Sequence, residues 1–526
     1  MRITNKIMRN NSLYNLNQNK ILEDKLTNQM TNQSKIARPS DDPVVAIRAL
    51  RLRSSVTKVT QYHEKNAADA NQWLSVTADA LTTVDEILKD LYEKATGAAN
   101  KDLTADDLEI ILTQMKSLTK EFYSSGNVDY AGRFIFSGFR TDTAITFSAE
   151  DIKAMKEQSV SYEINENLGF SDIDSFNYTD YSALSTDIGG GGLNGDQSYE
   201  QEIKNTKLYR LRLSYDNLDA KDPELDPSDP NYVPSQSKLT FTDSDGNPIP
   251  VNEYASAEEA YKAVADGKET GIAYIPSTGE LVFSGDYYEA NFKEGDSFTI
   301  SYDKSDWQDG DINPVHYFEC TETKTLGKDE NGADITKKTI YNTTATTLPQ
   351  DIYYDVGFNQ KIQVNTLASE VFTHNVQRDM DDFQRCMAQL RGIETQISDI
   401  KKKMADYPED SDEYKNLSKK LEAAEKAHAY IREDIHTQFE NQITKYQDYL
   451  NDNNIAITNN ASRGSRLELI TTRLTNQQAT FKELQTDNES IDITQVAVEM
   501  SSAELTYQAA LMATAKVMQT NLMNYI

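Results

Sequence analysis

Residues 43–95 carry a heptad pattern, and this pattern restricts the possible folds of the chain more than any other feature. Positions from Ala46 to Ala95 follow one another at alternating steps of three and four, and most of them are apolar. The spacing predicts one long helix that packs against other helices, with the Leu- and Val-rich second half better buried. We therefore expect a helical bundle in this part of the chain.

The chain ends in a second helical pattern that begins after Asp492. Lys516 is its only charged residue from Leu505 onward, so covering this helix takes more than one neighbour. Its expected contact residues are Val496, Met500, Tyr507, Leu511, Met518, Leu522 and Tyr525. An opposing apolar face on the N-terminal segment consists of Ile3, Ile7, Tyr14 and Ile21. Because such helices are marginal alone in water, we expect residues 1–40 and 491–526 to pair as a coiled coil on assembly.

The stretch "IARPSDDPVVA", residues 36–46, separates the N-terminal helix from the long one. Pro39 forces the residue before it toward extended geometry, which predicts that the first helix ends there. Asp42 is suited to cap the next helix, with Pro43 in its first turn. The two adjacent aspartates could instead form a metal or acid–base site, but capping explains both aspartates and both prolines. The predicted cap residues are Pro39, Ser40, Asp41, Asp42 and Pro43.

The sequence changes character after the first helices. "GRFIFSGF" predicts a hairpin that starts at Gly132, alternates apolar side chains and turns at Ser-Gly; its marked residues are Gly132, Phe134, Phe136 and Gly138. Between 146 and 360, short Tyr-, Thr- and Phe-rich runs alternate with Pro and Gly, which predicts a β-rich insert with one helix at "SAEEAYKAVADG". Helical patterning then resumes, with expected breaks at Pro408, at "NDNN" and at Gly464, and with residues 409–450 as an exposed helix pair.

These patterns predict a mainly α fold with a β-rich insert. Residues 41–145 and 361–490 are expected to form a helical core, residues 146–360 the insert, and residues 1–40 with 491–526 the terminal coiled coil. Within this scheme the long helix packs in a helical bundle, and the insert forms one or two β-rich domains.

Charge and hydropathy exclude several classes of partner. The chain carries 84 acidic against 53 basic side chains, a formal charge of −31, so nucleic acid and anionic membranes are poor partners. Residues 1–60 hold eleven Lys or Arg against four Asp or Glu, which indicates a solvated helix face or a protein contact. No apolar run approaches the length of a membrane span or signal peptide. We expect no membrane insertion and, if the chain is exported, no cleaved signal.

Side chains suited to chemistry are scattered. "HEKNA" lacks the second histidine of a zinc-protease motif, so His63 is interpreted as a core residue. No nucleophile and base share a recognisable spacing, and we expect no enzymatic activity, cofactor or metal. Cys320 and Cys386 stand in unrelated contexts, so the sequence leaves open whether they form a disulfide.

Four stretches resemble one protein family: "RPSDDPVVAIRALRLRS", "GRFIFSGFRTDTAITF", "DVGFNQKIQVNTLASEVF" at 355–372 and the ending "AELTYQAALMATAKVMQTNLMNYI". They are similar to the bacterial hook-associated protein 3 family, the hook–filament junction proteins of the flagellin-like superfamily. The resemblance covers about 1–147 and 351–526. One departure is Gln33, which stands where the family usually has glycine, and which predicts a looser helix stop or a longer first helix.

The resemblance implies a structural, extracellular component of the bacterial flagellum, exported unfolded by the flagellar type III system. It implies as partners further copies of the chain in a ring, hook-associated protein 1, flagellin, and an export chaperone on the C-terminal segment. A flagellin filament subunit is the alternative within this class. An alternative of another class is an adhesive or glycan-binding protein that acts through the insert, for example through Tyr287 and Tyr288.

Overall fold

The computed structural model describes residues 5–182, 184, 203–221, 237–328, 334–343 and 350–519. The chain divides into two compact units. The first, here called the terminal unit, comprises residues 1–72, 353–362 and 463–526. The second, here called the central unit, comprises residues 73–352 and 363–462.

Helices account for most of the terminal unit, whereas helices and strands share the central unit. Among the described ones, none combines the length and apolar character needed to cross a bilayer. Single 3₁₀ turns occur at Phe170–Asp172, Pro314–His316 and Ala368–Glu370. The longer helices are α1 (Asn5–Asn32), α2 (Pro43–Thr60), a π-helix (Gln61–Ala67), α3 (Ala68–Ala98), α4 (Ala105–Ser125), α5 (Ala149–Glu157), α6 (Ala257–Ala265), α7 (Gly285–Asn291), α8 (Asn375–Met404), α9 (Asp412–Glu489) and α10 (Ile493–Gln519).

The strands lie between α4 and α8 in the sequence. They are β1 (Asp129–Tyr130), β2 (Arg133–Phe134), β3 (Ser161–Gly169), β4 (Ile173–Asp180), β5 (Lys204–Arg212), β6 (Thr240–Thr242), β7 (Val251–Glu253), β8 (Ile272–Ile275), β9 (Glu280–Ser284), β10 (Ser297–Lys304), β11 (Glu319–Lys328), β12 (Asp334–Tyr341), β13 (Tyr353–Gly357) and β14 (Gln360–Gln363). Two five-stranded sheets have the orders β12-β11-β3-β10-β6 and β4-β5-β9-β8-β7, and two hairpins are β1-β2 and β13-β14.

The predicted fold class is confirmed, because helical segments precede and follow a β-rich region in the sequence. In the second sheet, α6 provides the apolar cover: Ala260, Tyr261 and Val264 pack on Leu208 and Val282 of the strands. This helix matches the one expected in "SAEEAYKAVADG". Its Ser256 accepts a hydrogen bond from the Glu259 amide, which caps the first turn.

The heptad pattern forms continuous helical structure from Pro43 to Ala98. Seam positions from Ala67 to Ala95 are buried, whereas Arg53 is exposed, as the composition of the two halves predicts. The π-helix was not expected. Its Asn66 donates a hydrogen bond of 2.7 Å to the carbonyl of Asp355 in the β13-β14 hairpin of the terminal unit, so the wider turn gives that hairpin a docking point.

The predicted breaks at "NDNN" and Gly464 are wrong, because α9 runs unbroken for 78 residues. Polar residues that resemble a loop serve as buried donors instead: Asn453 Nδ2 lies 3.1 Å from the Leu81 carbonyl, and Asn460 Nδ2 lies 2.9 Å from the Leu74 carbonyl. The expected exposed helix pair at 409–450 is also wrong, since this part of α9 buries Ile431, among other apolar residues.

The predicted core hairpin lies earlier than expected. β1 pairs with β2 in the register Asp129↔Phe134, so Gly132, with φ +75°, is in the turn and does not begin a strand. Ile135 and Phe136 are both buried and do not alternate. Gly138, with φ +62°, forms a second turn, where a Cβ would meet the Gln350 side chain at 2.3 Å.

The first helix ends at Asn32, six residues before the end that Pro39 predicts. Gln33 has φ +52°, the left-handed conformation that commonly ends a helix and that glycine adopts without steric cost. The family's glycine at this position therefore has a physical reason, and the alternative of a longer helix is wrong. In this chain a glutamine adopts the same conformation at a steric cost.

We predict that Gln33→Gly stabilises the terminal unit by about 1 kcal/mol. The measurement is the urea midpoint of helical circular dichroism. Gln18→Gly, in the exposed middle of α1, is the matched control and is expected to destabilise the unit by about 1 kcal/mol. Equal losses at both sites would contradict the account of Gln33.

A buried ionic network joins the second sheet to α8 and α9 within the central unit. Arg210 and Arg212 of β5 bind Asp382 of α8 at 2.6 and 2.7 Å. Arg212 also binds Asp379 at 2.7 Å, and Asp379 accepts a further bond of 3.0 Å from Lys445 of α9. Such networks contribute little net stability but fix the orientation of the elements they connect.

Glu280 of β9 completes the network by accepting from Arg210 and Arg385. Burial alone raises the pKa of the Glu280 carboxyl, but the Arg385 and Arg210 guanidiniums outweigh burial and lower this pKa to about 2. The carboxylate is therefore charged in the folded protein at neutral pH. Its stabilising contribution is complete above the ordinary glutamate pKa and is lost as the pH falls toward 2.

We predict that Glu280→Gln lowers the free energy of unfolding by about 3 kcal/mol, because it removes one carboxylate partner from both Arg210 and Arg385 and leaves Asp382 to balance their charges in a buried site. Urea unfolding at pH 7 measures this loss. The wild-type stability should also fall between pH 4.5 and 2, with a shallower fall in the variant. Asp106→Asn removes an exposed partner of Arg391 and should have a far smaller effect; similar losses for both variants would contradict the role of the network.

Candidate assembly site

The motif at residues 36–46 forms a turn closed by Asp41, followed by a helix cap at Asp42. The Asp42 carboxylate accepts hydrogen bonds from the Val44 and Val45 amides at 3.0 and 3.2 Å, and Pro43 occupies the first turn of α2. Asp41 Oδ2 accepts from the amides of Ala37 and Arg38 at 3.1 and 2.8 Å. Pro39 and Ser40 lie in the turn between these contacts. Both acids therefore satisfy backbone donors.

This turn lies beside the break between α9 and α10, which forms a joint in the terminal unit. Ser34 and Ser490 form an antiparallel bridge, and the Lys35 amide donates 2.8 Å to the Glu489 carbonyl. Arg53 makes a bidentate ion pair with the Glu489 carboxylate, with Nε at 2.8 Å. Asn488 Nδ2 donates 3.1 Å to the Val45 carbonyl. The connection from α1 to α2 and the break between α9 and α10 therefore lie side by side.

Beyond the joint, α1 and α10 pair along a narrow seam. Leu26, Val496 and Ala503 form its buried centre, and Met30 and Met500 pack against them. On α10 the less exposed positions are 496, 497, 500, 503, 507, 510 and 514, and all of them except 497 follow a four-three spacing that includes Tyr507. On α1 they are 12, 16, 19, 23, 26, 29 and 30, and all of them except 29 follow the same spacing. Both spacings are those of a coiled coil.

The face of α1 that the sequence predicts for this seam is wrong, because Ile7, Tyr14 and Ile21 are 51%, 64% and 62% exposed. The observed seam of α1 includes Ser12, Asn19 and Glu23. Because these residues are polar, a search for apolar residues at four-three spacing does not find this seam. In heptad terms the exposed residues occupy position f, which points away from the partner helix and is ordinarily polar.

The same outermost position on α10 is apolar too. Val498, Leu505 and Met512 stand seven residues apart and are 67%, 68% and 72% exposed. Leu511, beside them, is 42% exposed. The pair therefore carries two heptad-spaced apolar stripes, one on each helix, which we call the outer stripes: residues 7, 14 and 21 of α1 and residues 498, 505 and 512 of α10.

The other residues singled out by sequence lie elsewhere in the described structure or outside the described residues. Ile3, Leu522 and Tyr525 lie outside the described residues, and Met518 lies near the end of α10. His63 Nε2 lies 3.0 Å from Thr475 Oγ1. Cys320 and Cys386 are buried free thiols. Within the described ranges, no cluster of His, Cys, Asp or Glu is arranged to hold a metal ion.

The tyrosines considered for glycan binding belong to a packed aromatic cluster. Tyr288 stacks on Tyr209 with ring centroids 4.2 Å apart, and it lies nearly parallel to Phe170 at 5.8 Å. Tyr287 contacts Phe283 and Phe292 edge-on or tilted. These rings already pack on one another, so this cluster gives little support to a sugar platform.

Comparison with known proteins bears on the same segments. Residues 3–141 match the family model of the bacterial flagellin N-terminal helical region. Over 123 residues the chain is 32% identical to flagellar hook-associated protein 3 of Escherichia coli K12, covering 23% of this chain and 38% of that protein. Over 166 residues it is 26% identical to flagellar hook-associated protein 3 of Salmonella typhimurium LT2, covering 31% and 52%. The matches thus span about half or less of each relative's length.

Solved structures that align with most of this chain have low sequence identity and low TM-scores. A putative flagellar hook-associated protein from Vibrio parahaemolyticus aligns with 86% of this chain and 100% of its own at 12% identity, with a TM-score of 0.31. FlgL from Xanthomonas campestris aligns with 83% and 99% at 12% identity, with a TM-score of 0.27. The sequence matches support a flagellin-like, hook-associated protein 3 assignment, and the resemblance predicted from the motifs is confirmed.

The two valines of α10 provide a test of the seam. Val496 is buried between the helices and Val498 is on the outer stripe. Val496→Asp should separate α1 from α10 in the free protein, because it places a charge in the seam. Limited proteolysis should then remove both ends faster, whereas Val498→Asp should leave the cleavage rate unchanged. Equal sensitivity of the two variants would contradict the seam described above.

Proposed function

We propose that this protein is a structural component of the bacterial flagellum that joins hook-side proteins to the flagellin filament. The observation that carries the proposal is the pair of outer stripes. Large apolar side chains at position f serve no purpose in an isolated pair of helices, because nothing covers them. In a polymer, neighbouring copies would cover them.

The energetics favour assembly through these ends. Burying a large apolar side chain stabilises an interface by about 1.5–3 kcal/mol relative to leaving it exposed. Six such residues in the outer stripes therefore provide a substantial gain, from which the ordering of the helices and the association entropy are subtracted. The narrow seam by itself covers little area, so the terminal pair should become fully ordered only among neighbours.

The remaining assignments follow from the same proposal. The copies would form a ring at the tip of the hook, with hook-associated protein 1 on one side and flagellin on the other. Export would use the flagellar type III system with a chaperone on the C-terminal segment, and the protein would act outside the cell without catalysis. Residues 1–40 with 491–526 would form the inner layer, residues 41–145 with 361–490 the next, and residues 146–360 the outer part. Support comes from the partial matches to hook-associated protein 3 and from the exposed outer stripes.

Deleting the gene in the bacterium that encodes the chain tests the proposal. The expected result is intact hooks without filaments, together with monomeric flagellin in the medium. A filament subunit would behave differently, since its loss would remove filament mass without releasing flagellin. Normal filaments after deletion would contradict both roles.

Leu505→Asp tests the outer stripe in the same deletion strain. Leu505 is 68% exposed, so the free protein should fold and be secreted normally. The variant should nevertheless fail to restore filaments, because a carboxylate would have to enter an apolar interface. Gln508→Asp adds the same charge at an exposed polar position and should restore filaments in electron micrographs. If Leu505→Asp also restored them, the outer stripe would not be an interface.

A further inference from the structure

The tip of the β13-β14 hairpin presents a single aromatic side chain to solvent. Phe358 is 93% exposed, the highest value among the large apolar side chains of the described residues. It is in a two-residue loop in which Asn359 has φ +54°. Exposed aromatic residues of this kind are frequent anchors of protein interfaces.

The hairpin behind Phe358 is firmly held within the terminal unit. Val356 and Ile362 are fully buried, and Asn66 of the π-helix holds the Asp355 carbonyl at 2.7 Å. Tyr354 and Gln360 add side-chain hydrogen bonds to Asp69 and Arg473. A side chain presented on such a support loses little conformational entropy when it binds.

The same unit also contains a groove, which runs between α1 and α10. Its volume is about 430 Å³, within the range of sites that hold small apolar ligands. The lining residues are Asn19, Leu22, Leu26, Val498, Glu499, Ser502, Ala503 and Thr506. Glu499 is the single charged side chain among them.

We propose that Phe358 of one copy occupies the α1-α10 groove of a second copy. The charges beside the two surfaces can pair: Lys361, next to the hairpin tip, is 67% exposed and makes only a long, exposed contact of 3.9 Å with Asp355 of its own hairpin. Its ammonium group can therefore also reach Glu499, which borders the groove. The contact rests on the proposed function and specifies how copies meet within the assembly. Because the two surfaces differ, the contact is head-to-tail and continues into a ring or a helix.

Net charge is consistent with contact through the terminal unit. The terminal unit contains 18 Lys and Arg against 14 Asp and Glu, whereas the whole chain contains 53 against 84. The acidic excess therefore belongs to the central unit. Copies that meet through terminal units bring together surfaces that are close to neutral, which avoids the repulsion between central units.

Crosslinking between two singly substituted full-length chains tests the contact. Lys361→Cys and Glu499→Cys leave Phe358 in place, and the native cysteines are buried. The two variants are co-expressed in the deletion strain, and the isolated hooks are treated with a short bifunctional maleimide. The two chains should then give a crosslinked dimer. Neither variant alone should do so. Asp142→Cys paired with Glu499→Cys is the control and should give no dimer.

Substitution of the aromatic anchor provides an independent readout. Phe358→Ala should reduce the amount of protein bound at hook tips about tenfold, since each 1.4 kcal/mol of lost binding energy is a factor of ten. Phe139→Ala, at another exposed phenylalanine (60%), should leave it unchanged. Wild-type assembly without the mixed crosslink, or a dimer of Lys361→Cys with itself, would overturn this contact alone. Failure of the wild-type chain to bind hooks would overturn the proposed function as well.

Discussion

A two-helix pair has one buried seam, and this limit determines how the ends of the chain must behave. α1 and α10 use that seam for Leu26, Val496 and Ala503, yet they carry further apolar residues at the position that points away from the partner. No arrangement of these two helices alone covers both outer stripes. Any cover for these stripes has to come from other molecules, and neighbouring copies in the proposed assembly would provide it.

The joint and the ionic network each hold part of the chain in place independently of any cover on the outer stripes. At the joint, the ion pair of Arg53 with Glu489 and the bridge of Ser34 with Ser490 hold the two helix breaks side by side. In the central unit, Arg210 and Asp382 fix the sheet on the helices, so its orientation does not depend on assembly. A stable central unit combined with marginal ends suits the proposed function, in which the ends become ordered on assembly.

The sequence predicts the regular parts of this structure well, and it fails where a residue has an unusual partner. The heptad spacing of residues 43–95 identified the long helix and its better-buried half. The same rule misassigned α1, because Ile21 is more apolar than the seam residue Glu23. Asn453 resembled a loop residue because its acceptor, the Leu81 carbonyl, is distant in sequence. Gln33 adopts a backbone conformation that its residue type disfavours, and the ionic network joins positions that no spacing rule connects.

Amide hydrogen exchange on the free and the assembled protein tests the central claim most directly. If assembly completes the terminal pair, amides of α1 and α10 exchange fast in the dilute protein, through local opening, and become strongly protected in the ring. Those of α8 should remain protected in both states. If α1 and α10 are as protected as α8 in the dilute protein, and assembly changes nothing, then the outer stripes do not govern how this molecule joins its neighbours.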